Sequence, residues 1–255
     1  GQMNKKIIYQ FTVNADQDVE EEKTSKRKNK ETGEMETITT TKVVKKPVPS
    51  EVIIYQPSRR QIEDADMEFS IEMSKCIKKG ILTKAMLAKK YSDTGGLLTE
   101  GDSQKLIRLY KELGETQNAL GKLSQKKKKT ENEKNKESEL TETFANTRRE
   151  IVDLETNYQN LFNHTADTKA QNRAILWYML NLCFIKQDEE ERPLFAGEST
   201  EEKEDSYYEL EESEDEIFDL AKEKLMTFVS FWYFSQNPAK EDFENLEQEL
   251  DAELA

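Results

Sequence analysis

The chain has 255 residues, which is enough for one large domain or two small ones. Hydrophobic and charged residues each make up 35% of it, and the high charged share indicates compact parts joined by strongly solvated ones. With only two cysteines and one histidine, a disulfide framework is excluded and a cysteine-based zinc site is close to excluded, and we expect no cofactor.

The net charge of −14 is concentrated in the C-terminal part of the chain. Residues 187–255 carry 5 basic and 24 acidic side chains, whereas the rest is slightly basic. Such a region repels nucleic-acid phosphates and can attract a basic protein. The longest apolar stretch, Ala174–Ile185, is too short to span a bilayer, and Lys5–Val13 lacks the apolar region of a secretory signal. We therefore expect a cytoplasmic protein with no membrane partner.

Residues 3–57 are predicted to form a small β subdomain. Strand-forming residues are concentrated in Lys6–Val13, Thr37–Val44 and Glu51–Gln56. The polar and charged segment 14–36 is predicted to be a disordered loop. A sheet of three short strands needs a helix or a partner to cover one face.

Residues 58–102 are predicted to be a helical segment. Ser58 and Gln61 have the spacing of an N-terminal capping box, and apolar residues then recur at helical intervals until Gly80. Thr83 is the predicted cap of a second, short helix, Lys84–Tyr91.

Residues 103–163 are predicted to form a coiled-coil-like helical hairpin. Leucines recur at spacings of three and four from Leu106 to Leu123, and a second apolar stripe runs from Leu140 to Leu161. The segment 125–138 contains no apolar residue and is the predicted solvated tip, with one continuous rod as the alternative. Two such arms could also hold a homo-oligomer together.

Residues 164–238 are predicted to form a helical bundle. Ala174–Ile185 is apolar nearly all round, which is typical of a buried helix. An acidic loop is predicted over 187–216, followed by an amphipathic helix from Ile217 to Tyr233 and an acidic amphipathic tail over 239–255. The predicted fold is therefore mainly α with a small N-terminal β subdomain (α+β), with a long helical hairpin and a C-terminal helical bundle.

Aromatic residues near the C-terminal end are the candidates for partner binding. Residues 231–234 are four consecutive aromatics, and because one helix face cannot bury all four, some must contact another element or a partner. The tail repeats apolar residues at the spacing of a docking helix. The predicted partner-binding residues are Phe231, Trp232, Phe234, Phe243, Leu246 and Leu250.

A run of four lysines is the candidate for phosphate contact: Lys126, Lys127, Lys128 and Lys129. Nearby glutamates cancel its charge, and no aromatic residue is interleaved for base stacking. No P-loop, nucleophile elbow or Ser-His-Asp constellation is present, so we expect no enzyme. A carboxylate-bound magnesium enzyme is a third interpretation, because acidic residues abound.

The segment from Pro57 to Leu87 and the strand before it have an order of elements that is also found in a known protein family. A short strand is followed by Pro-Ser-Arg-Arg at 57–60, an acidic helix, and Gly-Ile-Leu-Thr-Lys-Ala at 80–85. This plan, mainly over residues 51–91, resembles tail assembly chaperones of contractile-tailed bacteriophages, although the hairpin at 103–163 departs from these small proteins. The resemblance implies a role in tail or virion assembly, another phage protein as partner, and a location in the infected host cytoplasm or the virion. It carries over no functional residues.

The sequence as a whole favours a non-enzymatic protein–protein interaction protein, such as a tail assembly chaperone or structural assembly factor. The alternative is a nucleic-acid-associated regulatory factor. It would contact phosphates through residues 126–129, or occupy a DNA-binding protein with its acidic surface as a decoy.

Overall fold

The computed structural model describes residues 5–93, 98–235 and 237–254. The strands in these residues are β1 (Ile7–Lys28), β2 (Met35–Tyr55), β3 (Cys183–Gln187) and β4 (Glu190–Pro193). The helices are α1 (Arg59–Lys78), α2 (Lys84–Asp93), α3 (Glu100–Ser124), α4 (Glu131–Thr156), α5 (Gln159–Phe162), α6 (Ala166–Leu182), α7 (Thr200–Glu212), α8 (Glu216–Phe234) and α9 (Lys240–Leu254). The predicted segments 3–57, 58–102, 164–238 and 239–255 each also include residues that lie outside the described ranges.

The chain divides into two compact units. The sheet unit comprises Gly1–Gln56, Met179–Val229 and Phe243–Ala255, and the helical unit comprises Pro57–Tyr178 and Ser230–Asp242. The fold is mainly α with a small β part, as predicted. No helix among the described residues combines the length and the hydropathy that a membrane span requires.

The sheet unit is built on an antiparallel sheet with the strand order β1-β2-β3-β4. Side chains alternate between its faces, and one face buries Tyr9, Phe11 and Val13 of β1 beside Val52 and Ile54 of β2. Aromatic residues of α8 and α9 cover this face: the Phe228 ring lies 5.4 Å from Phe11, and the Phe243 ring lies 5.2 Å from Tyr9.

The predicted disordered loop at 14–36 is wrong, because β1 continues to Lys28 and pairs with β2 without interruption from Tyr9 to the turn. Cross-strand pairing satisfies those backbone groups of this polar segment that face β2, and Glu21 forms an ion pair with Lys46. The turn is short: the Asn29 side chain accepts a hydrogen bond from the Glu31 amide, and Gly33 adopts φ +73°.

The predicted helix Ala174–Ile185 is also shorter than expected. Helix α6 ends at Leu182, and Cys183–Gln187 forms β3, which pairs with β2 over Glu51–Ile54. A short apolar run fits a buried helix and a buried strand equally well, and here the open edge of β2 provides a pairing partner.

The acidic segment 187–216 is not a loop, since it contains β4 and helix α7. Ser199 caps α7 by accepting a hydrogen bond from the Glu202 amide. Tyr207 anchors the helix, because its ring packs edge-on against Phe218 at 5.5 Å. Polar contacts add to this, because Ser206 accepts a hydrogen bond from the Ala196 amide and Lys203 donates to the Phe195 carbonyl.

The helical unit begins with the predicted capping box, in which Ser58 and Gln61 exchange hydrogen bonds at the start of α1. The Thr83 hydroxyl accepts a hydrogen bond from the Met86 amide at the start of α2, as expected for a cap.

Helices α3 and α4 form an antiparallel hairpin, so the continuous-rod alternative is wrong. The ends of the hairpin are joined by the Tyr158 hydroxyl, which donates to Asp102 at 2.6 Å. The tip is shorter than the predicted 125–138, because Thr130 and Glu133 form a capping box that starts α4 at Glu131.

Two glycine substitutions are expected to change stability in opposite directions. Gly197 has φ +133°, and a Cβ there would lie 2.5 Å from the Cβ of Glu202, so we expect Gly197→Ala to cost about 1–3 kcal/mol. Gly114 lies inside α3 with open space around it, so Gly114→Ala should gain about 1 kcal/mol. Denaturant unfolding of the two variants measures both shifts, and a loss at Gly114 would contradict this account.

Candidate functional site

A groove of about 950 Å³ runs along one face of α4 in the helical unit; we call it the α4 groove. Helix α4 lines it with side chains at alternating intervals of three and four residues, which places them on one face of the helix. The segment at the end of α8 and beyond lines the opposite side. The main lining residues are Lys134, Ser138, Thr141, Ala145, Arg148, Val152, Phe234, Ser235 and Asn237.

Arg148 and Phe234 form the centre of the groove. The guanidinium carbon of Arg148 lies 4.5 Å from the centroid of the Phe234 ring, within the range of a cation–π contact. Both side chains are half-buried. Burial lowers the pKa of Arg148, although a guanidinium remains protonated at any physiological pH.

No carboxylate in the described part of the chain forms an ion pair with Arg148. A half-buried cation without a counter-charge has lost part of its hydration without a compensating Coulomb interaction. The guanidinium offers five donors in a planar fork that matches the geometry of a carboxylate. The site is therefore prepared for an anionic group that approaches along the Phe234 ring.

Basic side chains outnumber acidic ones in the lining of the groove. Lys129 and Glu137 form an ion pair at one end of the groove and neutralise each other. Lys134 and Arg149 remain exposed, with Glu142 as the other acidic side chain of the lining. The rim is thus cationic over an apolar floor that includes Phe144 and Val152.

The α4 groove is lined by both polar and apolar side chains. Its polar groups are guanidinium, ammonium, hydroxyl and carboxylate side chains, and histidine and cysteine are missing from the lining. Among the described residues there is no group of three or more side chains that could hold a metal ion. The α4 groove therefore combines exposed cationic side chains with apolar ones.

Three of the predicted partner-binding residues lie at the end of α8. Phe231, Trp232 and Phe234 are each half-buried, and only Phe234 lines the α4 groove. Trp232 packs edge-on against Tyr178, with ring centroids 4.9 Å apart. The run of four aromatics is therefore shared between internal packing and the groove.

Two of the three predicted partner-binding residues of the tail, Phe243 and Leu250, are buried within the chain itself. Helix α9 packs on the sheet unit, where Phe243 is 1% exposed and Leu250 is 7% exposed. Leu246 is half-buried on the same helix. The predicted amphipathic stripe is present, but its apolar face covers Tyr9 and Phe228 of the same chain.

Of the four lysines predicted to contact phosphates, two form ion pairs with glutamates of α4 and two are exposed. Lys126 donates to Glu133 and Lys129 pairs with Glu137, so the first two turns of α4 neutralise half of the run. The hydrogen bond from Lys126 lowers the pKa of Glu133, which keeps that carboxylate charged. Lys127 and Lys128 are exposed at the tip of the hairpin.

Arg148 was missed by the sequence analysis. Its neighbours in the sequence, Thr147 and Arg149, belong to a charged helix in which one more arginine carries no signal. Its significance arises from Phe234, which lies 86 positions later in the chain. Comparison of the whole chain with protein-family models, with curated proteins and with solved structures gives no match.

Proposed function

We propose that this chain is a non-enzymatic protein–protein interaction protein that acts as an assembly factor, and that its α4 groove holds an acidic segment of a partner protein. The observation that carries the proposal is the half-buried Arg148, which lies on the Phe234 ring with no carboxylate partner among the described residues. A carboxylate of the partner would supply the missing counter-charge.

The chemistry of the groove defines the segment that it accepts. An aspartate or glutamate pairs with Arg148, and a neighbouring apolar side chain contacts Phe234, Ala145 and Val152. Small side chains at Ser138 and Thr141 leave room for the backbone of the segment along α4. The exposed cations of the rim attract an acidic partner and orient it before it docks.

The class of partner follows from the resemblance of residues 51–91 to phage tail assembly chaperones. On that basis, the partner is a component of a phage tail or virion, and the complex forms in the cytoplasm of the infected host or persists in the particle. A nucleic-acid role is less well supported, because Lys126 and Lys129 are neutralised by Glu133 and Glu137.

The test uses a fluorescein-labelled peptide that alternates glutamate and phenylalanine, titrated with the full chain and followed by fluorescence anisotropy. We expect Arg148→Glu to weaken binding by about 10- to 100-fold, because it replaces a charge-assisted hydrogen bond by a repulsion. Phe234→Ala should weaken binding to a smaller extent, and Arg148→Lys should retain part of it.

Arg108→Glu is the matched control for the charge change. Arg108 is an exposed arginine of α3 that does not line the groove. If Arg108→Glu and Arg148→Glu weaken binding equally, the peptide recognises net charge alone and the assignment to the groove is wrong.

A further inference from the structure

The free edge of β1 differs from the free edge of β2. Strand β1 lies at the border of the sheet, and among the described strands it pairs only with β2. Beyond the residues that pair with β3, the outer edge of β2 contains Pro47 and Pro49, which have no amide hydrogen to donate. Strand β1 contains no proline or glycine. Prolines therefore interrupt the outer edge of β2 at positions 47 and 49, although Met35–Lys45 has none, whereas the free edge of β1 has no proline along its length.

The backbone groups that face outward along β1 belong to its even-numbered residues. The Asp16 amide donates to a side-chain oxygen of Glu216 at 3.2 Å instead of to β2, and Asp16 lies opposite Pro47, which cannot donate. In an antiparallel ladder the direction alternates from residue to residue. Consequently, Asp18, Glu20, Glu22, Thr24, Lys26 and Lys28 direct their backbone groups away from β2.

The charged side chains of β1 are segregated by sign. From Asp16 to Glu22 every charged residue is acidic, and from Lys23 to Lys28 every charged residue is basic. These side chains are exposed, apart from the half-buried Glu21. Charges on an edge strand ordinarily prevent pairing with other strands. This order, however, repels a parallel copy and is complementary to an antiparallel one.

We propose that β1 pairs antiparallel with β1 of a second copy of this chain, over residues 18–28. The register that joins the outward-facing even residues sets Asp18 opposite Lys28 and Glu20 opposite Lys26, and two-fold symmetry forms each of these pairs twice. The one like-charge contact is Lys23 with its own copy, on the axis. A shift by two residues in one direction would set Lys28 opposite Asp16, whose amide already donates to Glu216, and a shift in the other direction shortens the ladder to residues 20–28.

Within the hairpin, three of these four charges lie opposite an uncharged residue of β2, and the exception is Asp18, which lies opposite Lys45. Lys26 and Lys28 lie opposite Thr37 and Met35 of β2, so β2 provides no acidic partner for them. Glu20 lies opposite Val43, which is 61% exposed. The paired stretch of 11 residues corresponds to roughly 35 Å of ladder. This surface belongs to the sheet unit and is independent of the α4 groove.

Two proline variants of the full chain test which edge is used. Thr24 and Thr39 are paired opposite each other, and both direct their amides outward, on opposite edges of the hairpin. By sedimentation velocity over a range of protein concentrations, Thr24→Pro should raise the dimer dissociation constant by about tenfold or more, because it removes a donor from both copies. Thr39→Pro should leave the dimer unchanged. A monomeric wild type, or equal effects of the two variants, would overturn the proposal.

Reversing the charges at the two ends of the paired segment tests whether the partner of β1 is a second copy of this chain. The pair Asp18→Lys and Glu20→Lys places lysine at all four positions of the two cross-strand pairs, and the pair Lys26→Glu and Lys28→Glu places a carboxylate at all four. We expect each double variant alone to be monomeric and their equimolar mixture to form a heterodimer, since opposite charges then face each other at all four of these cross-strand pairs. Failure of the mixture to associate excludes self-pairing of β1.

Disulfide formation tests the register. Lys23 lies on the two-fold axis, where non-hydrogen-bonded Cα atoms are about 4.5 Å apart, within the range of a disulfide. Lys23→Cys should form a covalent dimer under mild oxidation, whereas Arg27→Cys, on the same face of the strand, should not. The native Cys76 and Cys183 are both buried. Equal cross-linking at both positions would contradict the proposed register.

Discussion

Replacing Phe243 by alanine is expected to destabilise the sheet unit by about 3–5 kcal/mol, the cost of removing a fully buried aromatic ring from a packed core. The Phe243 ring is 1% exposed, stacks on Tyr9 at 5.2 Å and meets the edge of Phe228 at 6.2 Å. One turn later, Glu247 accepts a hydrogen bond from the Tyr9 hydroxyl at 2.6 Å and pairs with Lys224 at 2.9 Å. The loss of the ring therefore also loosens the polar contacts that hold α9.

Hydrogen exchange measured by mass spectrometry reports this effect, because protection should fall in β1, α8 and α9. Leu254→Ala is the matched control: Leu254 lies on the same helix and is 61% exposed, so its loss should change stability by no more than about 0.5 kcal/mol. If Phe243→Ala and Leu254→Ala reduce stability equally, Phe243 is not a core residue and is again a candidate for partner binding.

Replacing Glu155 by alanine is expected to cost the helical unit about 2–4 kcal/mol, because removal of the carboxylate leaves a largely buried ammonium without its partner. Glu155 accepts hydrogen bonds from the Tyr110 hydroxyl at 2.7 Å and from the Lys84 ammonium at 3.0 Å, so that it joins α2, α3 and α4. The side chains of Lys84 and Glu155 are 18% and 14% exposed. Breaking such a pair from one side costs more than the original pair contributes.

Burial raises the pKa of Tyr110, so its hydroxyl keeps its proton and remains a donor to Glu155 across the accessible pH range. Glu155→Gln should therefore retain part of the stability by accepting from Tyr110. Glu150→Ala, at an exposed position of the same helix, is the control for loss of a negative charge. Chemical denaturation of the three variants ranks them, and equal stability of the Glu155→Ala and Glu150→Ala variants would contradict the role of this network.

Local rules were sufficient to predict the ends of several helices. The capping box at Ser58 and Gln61 and the glycine at position 80 define α1, because caps satisfy backbone groups that lie within a few residues of each other. The two apolar stripes likewise predicted the α3–α4 hairpin. Each of these patterns lies within a short stretch of sequence: a cap joins residues a few positions apart, and each apolar stripe repeats within one helix.

The errors arise where a distant segment decides the structure. Residues 14–28 form a strand because they pair with residues 35–49. Residues 183–187 form a strand because they pair with the other edge of β2. The same holds for the site. Phe234 was predicted to bind a partner because four consecutive aromatics exceed one helix face, but nothing near Arg148 in the sequence indicates that Phe234 lies under its guanidinium.

Site-specific photo-crosslinking tests the central claim most directly. A benzoylphenylalanine in place of Val152, which is 50% exposed and lines the α4 groove, is placed in the full chain in producing cells, and the cross-linked species are identified by mass spectrometry. We expect one protein segment rich in aspartate or glutamate beside an apolar residue, captured from position 152 and lost when Arg148→Glu is added. The same probe at Ile107, an exposed position of α3 outside the groove, should not capture it. Capture of nucleic acid, or of the same species from both positions regardless of Arg148, would contradict the proposed role of the groove.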